Sequence, residues 1–481
     1  MTLDSVTCYR AMRSRDARFD GRFFVAVSST RIYCRPVCTV KPPRLENCRF
    51  YPSAAAAEVA GYRPCLRCRP ELAPGNASVD ATARVAQAAA SLIEDRALDA
   101  EGLAPIAARL GISDRHLRRA FGAEFGVSPI AFAQTQRLLL AKRLLTDTTL
   151  PVTEIALASG FGSLRRFNAL FKQRYRLQPS QLRRNMQRGG VPAADMLLCE
   201  LSFRPPYDWL SIRSFLGARG IAGVEMLGDD SYRRTVRVTS DGRDHYGWIE
   251  VGLSRTSPAL RVAVSLSLAR VIPSVLSRVK ALMDLSCHPS DISMALGLLA
   301  KGRPGLRVPG AFDGFELAVR AIIGQQVSVA AARTVAGRFA AAFGHPVITP
   351  FPQLTTVFPT AARVADIPIG RIMRLGMTSA RATAVMALAR SVADGRLVLT
   401  PQACVESALE RLRELPGVGE WTVQYIAMRA LAWPDAFPHT DLGVMNALKE
   451  KTPRRILAAG EVWRPWRAYA VMHLWQTLVQ E

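Results

Sequence analysis

Leu415-Pro416-Gly417-Val418-Gly419-Glu420-Trp421-Thr422-Val423-Gln424-Tyr425 is the stretch on which the reading of this chain turns. Gly417 and Gly419 let a short turn approach a phosphate closely, with backbone N–H groups aimed at it. The residues from Glu420 onward carry helical periodicity. The segment has the form of a helix-hairpin-helix, a DNA-backbone grip to which a monovalent cation can bind. On these residues alone, a plain tight turn between two helices is the alternative.

Working outward, Phe437-Pro438-His439-Thr440-Asp441 follows, and Asp441 lies 20 residues after Trp421. An isolated Asp is ordinarily a solvated loop residue or a helix N-cap. A hairpin with an Asp at this distance resembles the helix-hairpin-helix glycosylase superfamily, and Asp441 matches its catalytic aspartate. Lyase-competent members carry a Lys where this chain has Trp421. A Schiff base needs that amine, so beta-elimination is expected to be absent or weak. Beyond Cys287 only Cys404 remains, too few for the four-Cys iron–sulfur loop of some relatives.

Within that superfamily the resemblance is to AlkA-type 3-methyladenine glycosylases, and it covers nearly all of 196–481. Leu201–Trp209 resembles their opening strand. Arg307–Glu316 resembles the approach to the helical core. Arg320–Val329 resembles the segment bearing the DNA wedge, so Gln325 and Gln326 are expected at DNA, with Gln326 where the archetype has Leu. Arg464–Trp475 resembles the last helix. The resemblance puts Trp421, Tyr425 and Trp475 in the base pocket, with core packing as the rival for any one of them. Trp466 and His473 are expected to serve packing or DNA support.

At the other end, Cys34-Arg-Pro-Val-Cys38 and Cys65-Leu-Arg-Cys68 form C-x3-C…C-x2-C. Tight pairs separated by a loop bring four thiolates around one tetrahedral zinc ion. Cys48 falls outside the pair spacing and reads as a small core residue. Thr30–Cys38, Phe50-Tyr51 and Gly61–Pro70 resemble the N-terminal domain of the Ada-type methylation-response family. That resemblance implies that Cys34 is both zinc ligand and acceptor of a methyl group from a methylphosphotriester in DNA, with Cys38, Cys65 and Cys68 as the other ligands. The Pro-Cys-His-Arg motif of the family's second repair activity is absent, and the likeness stops near residue 190.

Leu103–Ser113 followed by Arg115–Phe121 has helix-turn-helix form, with Ala107 at the crossing, Gly111 at the turn, and Ile112, Leu117 and Phe121 spaced for a core. Val152–Ser163 followed by Arg165–Lys172 repeats it. The pair resembles the tandem reader of AraC-type regulators. Arg115, Arg118, Arg119, Arg165, Arg166 and Lys172 would then face DNA. A generic helical bundle is the alternative.

Lys plus Arg number 63 and Asp plus Glu 39, a net charge of +24. The excess is steeper up to Gly190, with 30 basic against 15 acidic residues, than beyond it, with 33 against 24. This favours a polyanion partner. Hydrophobic content of 49% excludes wholesale disorder. Apolar runs such as Ala384–Ala389 fall far short of a bilayer span, and no secretory signal is visible.

The expected fold class is multidomain α+β. A four-cysteine zinc domain over 1–75 precedes an all-α tandem helix-turn-helix over 80–188. An α+β domain over 196–285 has period-2 strand runs at Tyr232–Thr239 and Leu260–Leu266, and an all-α helix-hairpin-helix core over 286–481 follows. Partners expected are double-stranded DNA with alkylated bases and methylphosphotriesters, promoter DNA and RNA polymerase. No membrane is expected. A monomer in the bacterial cytoplasm, associated with the nucleoid, completes the expectation. The rival reading is a transcription factor whose C-terminal fold is a catalytically silent DNA clamp.

Overall fold

The computed structural model describes residues 4–74, 81–94, 102–148, 150–186, 196–240 and 242–478. It divides into two compact units. One comprises residues 1–205, 254–277 and 285–288, and the other 206–253, 278–284 and 289–481. No helix among the described residues is long and apolar enough to cross a membrane.

The first unit opens with a four-stranded sheet in the order Cys48–Tyr51, Phe24–Val27, Ile32–Cys34, Arg63–Pro64. The last two strands run parallel, with Ile32 opposite Arg63 and Tyr33 opposite Pro64. Cys48 is buried against Cys8 and Val25, as expected for a small core residue. Among the described residues seven α-helices follow, from Ala81–Glu94 to Pro179–Met186. Leu117, Phe121, Phe167 and Phe171 are fully buried at matching positions of two of them.

Helix Ala54–Val59 ties the sheet to both reader helices. Ser53 at its N-cap accepts from Ala56 N–H (3.0 Å) and donates to the Phe125 carbonyl (2.6 Å). Glu58 near its other end is buried and accepts from Tyr33 (3.0 Å), Thr135 (3.1 Å) and Tyr175 (3.2 Å). Helix Pro129–Asp147 adds a buried ion pair, Lys142 on Glu71 at 2.6 Å, and its Arg143 donates to the Glu200 carbonyl. Strand Met196–Ser202, which carries Glu200, pairs antiparallel with Ala259–Ser265.

The second unit holds the antiparallel strands Glu225–Leu227, Ser231–Ser240 and Arg243–Leu253, then a run of helices. The expected period-2 run Tyr232–Thr239 falls in strand Ser231–Ser240, and Leu260–Leu266 falls in strand Ala259–Ser265 except for Leu266, which opens a 3-10 turn. Helix Gly314–Ile323 is locked to the strands by buried ion pairs. Arg234 meets Glu316 at 2.6 Å, and Arg320 meets Glu225 at 2.8 Å and Glu316 at 3.1 Å. Buried charges this close need such pairing, since an unpaired one carries the full desolvation cost. The helix thereby delivers Gln325 and Gln326 to a fixed position.

Candidate functional site

The first-unit site follows from strand register. Cys34 ends one strand and Cys65 follows its parallel neighbour, whose chain continues with Cys65 N–H donating to the Tyr33 carbonyl at 3.0 Å. Each cysteine then begins a short turn that returns the second member of its pair. The Cys38 N–H donates to the Arg35 carbonyl (3.1 Å), and the Arg35 N–H donates to the Cys68 sulfur (3.4 Å). All four sulfurs lie within 4.8 Å of one another. A tetrahedral zinc with bonds of about 2.3 Å needs ligand separations of about 3.8 Å, so the set fits one ion. The buried Arg35 guanidinium, held by Asp20, donates to the Cys68 carbonyl (3.3 Å) and sets a positive charge beside the cluster. Hydrogen bonding with Cys38, Cys65 and Cys68 pushes the Cys34 thiol up, and the same network pulls Cys65 down. A dication at the centre would cancel the repulsion and let all four act as thiolates.

The two helix-turn-helix units share one local design. Gly111 (φ +67°) and Gly160 (φ +81°) take the left-handed turn position, where an L side chain is strained. Ser113 and Ser163 cap the reader helices Asp114–Phe125 and Leu164–Tyr175, accepting from His116 N–H (3.2 Å) and Arg166 N–H (3.4 Å). Arg115, Arg118, Arg119, Arg165, Arg166 and Lys172 are all exposed. Arg118 is paired with Asp114 at 3.0 Å, and His116 is half-buried.

The second-unit site gathers around helix Glu420–Arg429. Gly417 (φ +74°) makes the turn before it. Gly419 has ordinary extended backbone and faces open space. Gln325 turns onto this turn rather than outward, its amide donating to the Gly417 carbonyl and the Thr422 hydroxyl at 2.9 Å each. Gln326 is exposed at the tip, in the left-handed region (φ +53°).

Trp421 and Tyr425 lie one helical turn apart on one face, so their rings stack, 5.2 Å between centroids at 16°. Trp475 comes in from helix Arg467–Thr477, 6.4 Å from Tyr425. Gln424 accepts from Phe437 N–H (3.0 Å), which fixes the loop leading to Asp441. Asp441 N-caps helix Leu442–Leu448, accepting from Val444 N–H at 3.0 Å. Its carboxylate also accepts from the indole N–H groups of Trp421 (2.8 Å) and Trp475 (2.7 Å). The four residues singled out in the sequence thus converge in one place.

Three neighbours are absent from the sequence reading. Phe215, on helix Trp209–Ala218, stacks with Trp475 at 6.3 Å and 15°. The Arg219 guanidinium sits 3.8 Å over the Phe215 ring. Arg429 donates to the Tyr425 hydroxyl at 2.8 Å. Burial works to raise the Tyr425 phenol, but the charges of Arg429 and Arg219 outweigh it and leave it below its ordinary value. Only Arg429 carried a signal, its i,i+4 spacing from Tyr425. Trp466 and His473 are buried, and desolvation, with the Arg303 charge, lowers His473 to about 4. Both fit packing roles.

Four family models match the chain in order. They are the metal binding domain of Ada (7–71), a helix-turn-helix domain (106–185), the AlkA N-terminal domain (198–313) and the HhH-GPD superfamily base excision DNA repair protein (319–453). A DNA-binding regulator is therefore joined to a base excision repair fold. A Mycobacterium tuberculosis protein named probable bifunctional transcriptional activator/DNA repair enzyme AlkA is 39% identical over 99% of this chain and 97% of its own length. DNA-3-methyladenine glycosylase 2 of Escherichia coli is 36% identical over 58% of this chain and 96% of its own. The bifunctional transcriptional activator/DNA repair enzyme Ada of Escherichia coli is 37% identical over 28% of this chain and 36% of its own. The chain belongs to the family of bifunctional transcriptional activator/DNA repair enzymes of the AlkA type.

Proposed function

We propose that this chain excises alkylated bases such as 3-methyladenine from DNA and, at its other end, senses methylphosphotriesters as a transcriptional activator. The observation that carries the enzymatic half is the Asp441 carboxylate, held by two indoles of an aromatic cluster beside the hairpin. The glycosidic bond is unreachable inside a duplex, so the base must leave the stack. Gln326 fills the gap, and the hairpin with Gly417 and Gly419 grips the backbone. A monovalent cation on the hairpin carbonyls would reinforce that grip.

An N3- or N7-alkylated purine is cationic. It stacks on Trp421, Tyr425 and Trp475, worth roughly 0.5–2 kcal/mol per contact. It leaves with the electron pair of its C1′–N bond and needs little general acid. Asp441 stabilises the oxocarbenium-like sugar and orients the water whose oxygen bonds to C1′, the water's proton passing to that carboxylate and then to solvent. The products are free base and an abasic site. Trp421 offers no amine, so strand cleavage does not follow.

In the first unit, Cys34 attacks the methyl carbon of a methylphosphotriester, the methyl C–O bond breaks, and the phosphodiester leaves with the electron pair. The sulfur becomes a thioether, and the cluster loses one negative charge. Bound zinc would supply the charge that keeps all four cysteines as thiolates. The less anionic face and the reader helices then bind promoter DNA more tightly, in a salt-dependent manner. RNA polymerase is the downstream partner, and the protein acts as a monomer in the bacterial cytoplasm, associated with the nucleoid.

The test is base release from alkylated duplex DNA. Asp441→Asn is expected to abolish release of 3-methyladenine while DNA binding stays measurable. Retained full excision refutes the enzymatic reading and favours the silent clamp. For the sensor, one methyl group is expected on the peptide bearing Cys34 after incubation with methylphosphotriester DNA. A methyl found elsewhere, or nowhere, reduces the cluster to scaffolding.

A further inference from the structure

The hydrogen bonds at Asp441 distinguish its two oxygens. Oδ1 accepts twice, from Val444 N–H at 3.0 Å and from Trp475 Nε1–H at 2.7 Å. Oδ2 accepts once among the described residues, from Trp421 Nε1–H at 2.8 Å. A carboxylate oxygen has about two acceptor positions, so Oδ1 is filled and Oδ2 keeps one. The backbone donor alone would leave the carboxylate free to rotate about its Cβ–Cγ bond. Two indoles on different helices, one on each oxygen, stop that rotation.

Gly443 belongs to the same arrangement. A Cβ there would lie 2.8 Å from Trp475 Cδ1, 3.0 Å from Trp475 Nε1 and 2.9 Å from Asp441 Oδ1. Both the ring and the carboxylate occupy the space a side chain would need, so only glycine lets Trp475 reach Oδ1.

We infer that Trp421, Trp475 and Gly443 are positioning residues that clamp the Asp441 carboxylate and present Oδ2 as the oxygen facing the sugar and the attacking water. The two tryptophans thus have separable roles. Their ring faces receive the base, and their N–H edges aim the carboxylate. This rests on the reading of Asp441 as the reacting carboxylate.

Single-turnover base release from duplex DNA containing 3-methyladenine or 7-methylguanine tests it, measured as maximal rate and half-saturating protein concentration. Trp475→Phe and Trp421→Phe keep an aromatic ring and lose the N–H. Gly443→Ala keeps both indoles and displaces one. Each is expected to lower the maximal rate about 10- to 100-fold, the scale of a misplaced reacting group. For Gly443→Ala, which leaves both indole rings in place, half-saturation should move less than threefold. The pair Gly443→Ala and Trp475→Phe should be non-additive, because both remove one hydrogen bond. Thermal unfolding of each variant controls for folding, and Gly443→Ala carries the test should a Phe variant misfold.

The inference is overturned if Asp441→Asn is inactive while Trp475→Phe and Gly443→Ala keep the wild-type rate, or if their losses appear only in half-saturation, or if the two add fully. An active Asp441→Asn would instead defeat the underlying reading of Asp441.

Discussion

Glu58 is a buried carboxyl with three hydroxyls donating to it. Burial raises it to about 7 from 4.5, against the opposing effect of those donors and the Arg174 charge. A raised folded-state value contributes stability that is full below the unfolded value and is lost as pH rises through the folded one. The first unit should therefore lose about 1 kcal/mol between pH 6 and pH 8 through this group. Denaturant unfolding of wild type and Glu58→Gln at the two pH values checks it. The gap between their midpoints should change with pH by that amount, and a constant gap would show that Glu58 stays ionised throughout. At this scale the sequence was legible where chemistry needs a particular atom at a particular spacing: Cys34, Cys38, Cys65 and Cys68, or Trp421 and Tyr425 one turn apart. Glu58 and Phe215 were not, because their partners lie far along the chain and nothing local marks them.

Among the elements, helix Ala54–Val59 and helix Pro129–Asp147 do work that their own sequences do not announce. The first is a short alanine-rich segment, yet Ser53 and Glu58 at its ends hold Phe125 and Tyr175, the last residues of the two reader helices. The second has no clean apolar stripe, because Lys142 and Arg143 lie buried on it. Lys142 and Arg69 together hold the buried Glu71 carboxyl below its usual range despite its desolvation. Lys142→Met strands that charge, and a broken buried pair typically costs about 3–5 kcal/mol. The expected outcome is a large fall in the unfolding midpoint of the first unit, read by denaturant titration. A change under 1 kcal/mol would mean that Arg69 alone compensates Glu71. The helix-turn-helix elements themselves were legible, since in 103–121 and 152–172 a Ser cap is followed four and eight residues later by large apolar side chains, with a turn glycine two residues before the first cap and three before the second.

For the molecule as a whole, the two proposed chemistries share one chain but use no common residue. The cysteine cluster and reader helices belong to one unit, and Asp441 with its aromatic neighbours to the other. The order of segments was readable because each carries its own signature. The division into units was less so, since strands Met196–Ser202 and Ala259–Ser265 fall in the first unit and the strands between them in the second. Composition does not mark such a return of the chain. Zinc removal by a chelator should abolish methyl uptake by Cys34, while base release continues. Loss of both together, with the second unit still folded, would show that the metal supports more than the sensor.

The most direct test of two independent chemistries is a crossover on one DNA carrying both 3-methyladenine and a methylphosphotriester. Wild type, Cys34→Ala and Asp441→Asn are each incubated with it, and free base and the mass of the Cys34 peptide are read from the same tube. Cys34→Ala is predicted to release base without gaining a methyl group, and Asp441→Asn to gain the methyl group without releasing base. Base release by Asp441→Asn at the wild-type rate would contradict the account.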